Sequence, residues 1–326
     1  MQQKVRVGVL GAGKIAQFRH LPELSFRDDV EILCICDKNV DRASEIAKQY
    51  GIPQVYEHFD QLIAEERLDA VTICLPNALH ADATLLALAK DLHVLVEKPM
   101  ATTMEDCRRI VEAYNHSNRI VMVGCNQRFH PLNRRAKELL QSGAIGTVYQ
   151  FSANFHHGGP EQWSVDERDS WFFDAAQSGS GVTFDLGFHK IDLIRWMLED
   201  TITNISSFRS RTRAWTEVED NAVMMIQTES GAIGTVSISW CNPQQDHRTC
   251  LYGSRGTIVF GESLFGLTVH HNDGDSMTEE IVPEFRTDGK LNSGVIDHFV
   301  DSIVSGRRTD AECTSVLPSM EALFAL

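Results

Sequence analysis

An apolar stretch, Val5 to Leu10, runs straight into Gly11-Ala12-Gly13-Lys14-Ile15-Ala16, and nothing else in the chain restricts its fold so tightly. The run fits G-x-G-x-x-[G/A]. Gly11 permits the tight turn, Gly13 lets backbone approach a pyrophosphate, and the small Ala16 lets a helix pack closely on the strand. The N-terminus of that helix, with Lys14 and Ile15 in its first turn, presents N–H groups and a partial positive charge to the phosphates. Asp37 closes the next apolar stretch, Val30 to Cys36. An acidic residue about 20 positions beyond the loop is the second half of a dinucleotide fingerprint. Its carboxylate is placed to accept hydrogen bonds from a ribose diol and to repel a 2′-phosphate, which favours NAD. Adjacent Lys38 is either a solvated loop lysine or a cation that leaves NADP open. A glycine turn without a ligand is the plain alternative, and the strand–turn–helix context counts against it.

The alternation continues. Residues 43–50 read as a helix stopped by Gly51, 69–75 as a strand stopped by Pro76, and 81–90 as a helix. Strand His93–Val96 is closed by Glu97-Lys98-Pro99, and a helix over about 104–116 leads to a strand at 120–124. Short apolar strands between helices predict βαβ units and a parallel sheet. Ligands of a doubly wound sheet lie beyond the carboxyl ends of its strands. Pro76, Asn77 and His80 should therefore border the cofactor, with Glu97 and Lys98. Glu97-Lys98 also reads as a surface ion pair, and His80 as a cap of the following helix. Lys98, fixed by Pro99 at a strand end, is well placed to act on a substrate.

After residue 124 the pattern changes. Residues 143–153 and 221–240 alternate in β fashion, and paired runs surround 257–260 and 267–271. Helix signals remain at 132–140 and after Gly181. The expectation is an α/β chain of two domains. Residues 1–124 form a doubly wound parallel sheet, and residues 125–326 form an α+β unit with a largely antiparallel open sheet.

Composition narrows the partners. A formal net charge of −15 repels nucleic acid and anionic membranes. No apolar run is long enough to span a bilayer, and the polar first residues do not read as a signal peptide. None of the eight cysteines forms a C-x-x-C pair, and several sit inside apolar runs. They read as free core thiols of a reducing compartment, the cytoplasm, with no metal site.

Asp185, His189 and Asp192 fall at i, i+4 and i+7, on one face of a helix beside a broad apolar arc. Gly187 within that helix costs about 1 kcal/mol against Ala, which implies a close approach to its backbone. The other reading is a solvated charged face. His156 and His157 precede Gly158-Gly159-Pro160. As neighbours in a strand they point to opposite sides, so joint metal ligation is disfavoured, while either could touch a substrate. Arg128 either fixes the cleft or touches substrate, and Trp171 either stacks on a sugar ring or belongs to the core.

Gly11–Ala16, Pro76-Asn77-x-x-His80, Glu97-Lys98-Pro99, Gly124-x-Asn126-x-Arg128-Phe129 and Asp185-Leu186-Gly187-Phe188-His189-x-x-Asp192, in this order, resemble the glucose–fructose oxidoreductase / inositol dehydrogenase / MocA (Gfo/Idh/MocA) family. The resemblance implies a Rossmann domain, a second domain whose open sheet carries the contacts of a homodimer or homotetramer, and catalysis by the residues at Lys98, Asp185 and His189. It implies hydride transfer between NAD(P) and a secondary alcohol or ketone of a sugar or cyclitol. Asn126, Arg128, His156 and Trp171 are the candidates for the substrate side. Such chemistry suits these side chains. A histidine takes the hydroxyl proton, a cation stabilises the oxyanion, and a carboxylate orients the imidazole. Two rivals share the fold: an NAD-dependent glycoside hydrolase working by transient oxidation and elimination, and a non-catalytic NAD-binding sensor. The presence of Lys98 and His189 counts against the sensor. Phe172 stands where the family often has Arg after the tryptophan.

Overall fold

The computed structural model describes residues 4–65, 67–263, 265–286 and 288–326. Six strands, β1 (Val5–Leu10), β2 (Val30–Cys36), β3 (Gln54–Tyr56), β4 (Ala70–Ile73), β5 (His93–Val96) and β6 (Val121–Val123), form one sheet in the order β3-β2-β1-β4-β5-β6. Every adjacent pair is parallel. Helices cover both faces, so Val7, Val9, Val71, Ile73, Val94 and Leu95 are all buried. That double burial is why the strands read as unbroken apolar runs rather than as alternation. Strand order reverses between β1 and β4, and this switch point opens a crevice at the carboxyl ends.

The second sheet has eight strands: β7 (Val148–His156), β8 (Ile202–Ser210), β9 (Asn221–Thr228), β10 (Ile233–Ser239), β11 (Thr249–Gly253), β12 (Gly256–Phe260), β13 (Gly266–His271) and β14 (Ser276–Glu280). Their order is β14-β13-β12-β11-β7-β10-β9-β8, antiparallel throughout except for the central β7–β10 pair. Met224, Ile226, Val236 and Ile238 are buried on the face that carries the helix Phe188–Leu198. The opposite face is open: Phe208 is 86% exposed, Met225 63% and Ile233 52%.

The expected division into 1–124 and 125–326 misses a return of the chain. Helix Val295–Ser305 lies against the nucleotide domain, where Arg27 donates to the Asp297 carboxylate at 3.0 Å and Ser293 to Glu23 at 2.7 Å. Val123 N–H then donates to the Ala311 carbonyl at 2.9 Å, and Met122 bridges to Glu312. The outer edge of β6 is thus paired by residues from far downstream, as a buried strand edge requires.

Two helices that enter the cleft each contain one wide π turn, Ala16–His20 and Thr183–Gly187. Such turns occur often at functional sites. The second explains Gly187: a Cβ there would lie 2.8 Å from Met224 Cε and 3.1 Å from Ile238 Cδ1, so helix and sheet meet at the glycine.

Candidate active site

The nucleotide side is built by the first βα turn. Gly11 has φ +97°, and a Cβ on it would strike the Cys74 carbonyl at 2.5 Å. A Cβ on Gly13 would meet nothing within 4 Å, so the loop is hollow where a pyrophosphate belongs. The first N–H groups of the helix beginning at Lys14 have no intrahelical partners. Lys14 is exposed and Ile15 packs on the core. Asp37 accepts from Ala12 N–H and from Asn39 N–H, both at 2.8 Å, which holds its carboxylate beside the loop. Lys38 is exposed next to it. Hollow loop, free N–H groups and carboxylate together fit a dinucleotide.

The segment after β4 serves largely to join parts. Pro76 opens the turn Asn77–Leu79, and the Asn77 amide donates to the Ser178 carbonyl of the second domain at 2.9 Å. Buried His80 sets Nδ1 2.7 Å from Pro99 O and Nε2 2.9 Å from Leu75 O, clipping the ends of β4 and β5 together. Burial pulls its pKa down. Glu97 is no surface partner of Lys98. Its buried carboxylate accepts from His20 Nε2 at 2.9 Å and from the Lys98 backbone N–H at 3.2 Å. Burial opposes ionisation of this pair. The Cys74 sulfur and the Glu97 carboxylate nevertheless lift His20 to about 10, and His20 in turn holds Glu97 below its ordinary value.

The chemistry-bearing groups meet across the two domains. Lys98 Nζ lies 2.6 Å from Asp185 Oδ1 and 3.3 Å from the Asp185 carbonyl. Trp240 Nε1 donates to Asp185 Oδ2 at 3.0 Å. Both carboxylate oxygens are thereby engaged, so Asp185 orients Lys98 rather than His189, contrary to the sequence expectation. Half-buried His189 has no hydrogen-bond partner for either ring nitrogen among the described residues, while Phe155 and Phe188 pack near the ring. Burial first, then the charges of Lys98, Arg19, Lys190 and His157, hold its pKa well below the ordinary 6.5. It is a neutral imidazole at neutral pH, free to accept a proton.

Asp192 leaves the expected stripe. Beyond the π turn it points inward and takes Arg128 Nε at 2.8 Å and Nη2 at 2.5 Å. The remaining nitrogen of Arg128, Nη1, donates to Asp310 O and Ser315 Oγ, and the residue is 1% exposed. Arg128 is therefore a buried brace and touches no substrate. His156 is also corrected: its ring lies 3.0 Å from Ser237 Oγ on the open face of the sheet. Phe151 and Ala153 are buried, so the odd positions of β7 face inward. His157 follows them and packs on Phe155 and Trp163. Trp171 stacks on Phe172 at 3.9 Å, and Phe172 meets Trp163 and Trp240 edge-on, which makes one aromatic wall ending at Asp185. Asn126, just past β6, keeps a buried Oδ1 without a partner among the described residues, an acceptor open to a ligand.

Sequence reasoning missed Trp240 and Arg213. Arg213 donates to Glu161, to Gly158 O at 2.9 Å and to Trp240 O at 2.7 Å, tying the loop over the cleft to the tryptophan behind Asp185. No motif marks either. Among the described residues no group of three or more His, Cys, Asp or Glu side chains could hold a metal ion.

Comparison with known proteins joins this geometry to a family. The model for the oxidoreductase family, NAD-binding Rossmann fold, matches residues 5–125, and that for the GFO/IDH/MocA C-terminal domain matches 133–259. Inositol 2-dehydrogenase 3 of Saccharopolyspora erythraea is 33% identical over 259 residues, 78% of this chain and 72% of that protein. The chain belongs to the Gfo/Idh/MocA family. Another Gfo/Idh/MocA relative, scyllo-inositol 2-dehydrogenase (NAD(+)) of Bacillus subtilis, is 25% identical over 327 residues and spans 96% of this chain and 91% of its own. Levoglucosan dehydrogenase in complex with NADH and levoglucosan shares the fold, with TM-score 0.85 at 23% identity over 99% of this chain and 96% of that one. As a Gfo/Idh/MocA protein the chain is an NAD(P)-dependent oxidoreductase.

Proposed function

We propose that this oxidoreductase transfers a hydride between NAD and a secondary alcohol or ketone of a sugar or cyclitol. The observation that carries the reading is the Lys98–Asp185 contact across the domains, with His189 unpartnered nearby. Bound nicotinamide supplies the hydride acceptor. His189, neutral and free, accepts the hydroxyl proton, as a general base does. The Lys98 ammonium stabilises the oxyanion, held in place by Asp185 and, behind it, Trp240. Asn126 Oδ1 is a ready acceptor at the same end of the sheet, and the wall of Trp163, Phe172 and Trp171 offers flat apolar surface to a sugar ring.

Asp37 supports NAD over NADP, since its fixed carboxylate stands where a 2′-phosphate would add like charge. The open face of the second sheet, with Phe208, Val223, Met225 and Ile233 exposed, supports a homo-oligomer built on that face.

The deciding experiment is a screen of inositols, hexoses, pyranosides and sugar phosphates for NADH formation from free NAD. Turnover with a polyol is the expected result. Tight NAD binding with glycoside cleavage and no net NADH would overturn the reading in favour of an internal redox cycle.

A further inference from the structure

Lys190 follows His189 on the helix Phe188–Leu198 and is only 3% exposed. Its ammonium donates to the His247 carbonyl and the Thr249 hydroxyl, both at 3.2 Å, and forms no ion pair among the described residues. A buried cation without a counter-ion is costly, and a methionine would fill similar space without the penalty. What it gains is position. Lys190 Nζ lies 5.7 Å from the centre of the Phe155 ring, and the His189 ring lies 5.7 Å from the same centre. The two groups therefore sit against one aromatic side chain, no farther apart than about twice that distance.

The surroundings leave Lys190 as the group that changes charge near neutrality. From β7, His157 faces the same ring and burial keeps it neutral, while His156 points to the open face. From the segment between β10 and β11, His247 packs on Phe155 at 4.6 Å and is driven by burial down to about 4. Asp246 is the carboxylate that acts on Lys190. It already accepts from Asn154 Nδ2 and Arg248 N–H, and Arg248 itself pairs with Glu262. Lys98 acts by its charge on both His189 and His157, Arg19 on His189, and Asp185, Glu161 and Arg213 on His157. Burial, opposed weakly by Asp246, brings Lys190 down to about 7.

We propose that Lys190 is a positioning residue that sets the basicity of His189: as an ammonium it makes the imidazole a weaker proton acceptor, and on losing its proton it restores it. The proposal rests on the reading of His189 as the proton acceptor. At the separation the ring allows, one charge changes the proton affinity of His189 by about tenfold. Turnover in the oxidative direction should then rise about three- to tenfold across the titration.

The test is the pH profile of kcat with a polyol substrate. Wild type should show a limb near pH 7. Lys190→Met should be flat at the high-pH level and Lys190→Arg flat at the low-pH level, since a guanidinium does not titrate. A limb that survives in Lys190→Met would overturn the proposal. Wild-type NMR with isotope-labelled lysine and histidine needs neither variant nor substrate. One lysine resonance should titrate near 7, with the His189 ring signals moving at the same midpoint. Titration of every lysine near the ordinary value of about 10.4 would overturn the proposal. Failure of the alcohol-oxidation reading would appear instead as absent turnover in the substrate screen.

Discussion

Asp185→Asn is the most informative single change, because it keeps the shape of the site and alters only charge and hydrogen-bond polarity. The carboxylate takes a donor on each oxygen, Lys98 at 2.6 Å and Trp240 Nε1 at 3.0 Å. An asparagine has one carbonyl oxygen, so its amide NH2 must face one of these two donors. If it faces Trp240, a fully buried indole N–H loses its partner, at about 1–3 kcal/mol. If it faces Lys98, the ammonium meets a second donor. Either way Lys98 loses its counter-ion, and breaking a buried pair costs about 3–5 kcal/mol. Lys98 keeps 13% of its side chain exposed, so the lower end of the range for a broken pair applies, and about 3 kcal/mol of stability should be lost. Freed from Asp185, Lys98 no longer holds its place, and a displacement of about 1 Å at such a site costs roughly 10²-fold in rate. The assays are urea unfolding, steady-state kcat on a polyol, and NAD titration by protein fluorescence. The phosphate loop and Asp37 are untouched, so NAD affinity should stay within a few-fold. A kcat within threefold of wild type would refute the argument. So would a fall in NAD affinity as large as the fall in kcat, since the carboxylate would then serve the cofactor.

His189→Ala should reduce kcat by about 10²–10⁴ while NAD still binds, and adding Lys98→Ala should cost little more, because groups acting as one unit are not additive. Asp37→Ala should narrow the preference for NAD over NADP in paired titrations, and an unchanged ratio would locate that preference elsewhere. His20 has a folded-state pKa of about 10, above its unfolded value near 6.5. Its contribution to stability is therefore complete below pH 6.5 and lost as pH rises to about 10, at no more than about 1.4 kcal/mol per pH unit. Urea midpoints of wild type and His20→Gln should converge over that window, and parallel curves would contradict the buried charge.

Much of this was legible in the sequence wherever a single segment carried the signal. β1, β4 and β5 are buried on both faces over most of their length and announced themselves as apolar runs. β3, three residues long with no buried side chain, did not. The Asp185–His189 spacing pointed to one helix face, but the π turn that sends Asp192 inward depends on how closely the sheet approaches Gly187. No spacing within one segment could reveal that. Alternation told that His156 and His157 diverge. Which of them faces inward followed only from the register fixed by Phe151 and Ala153. Lys98 and Trp240 reach Asp185 from opposite sides of the chain, so their meeting belongs to tertiary packing alone. Arg128 read equally as fixing the cleft or touching substrate, and the partners that decide for the first, Asp192, Asp310 and Ser315, are distant in sequence.

The pairing of β6 with the backbone around Ala311 has a consequence for biosynthesis. A ribosome delivers β1 to β6 early, yet the last strand of that sheet must wait for most of the remaining chain before its outer edge is covered. Throughout that interval the nascent sheet presents an uncapped row of N–H and C=O groups, a template for pairing with another chain. Truncations that stop after β6 should inherit this edge permanently and show it as insolubility.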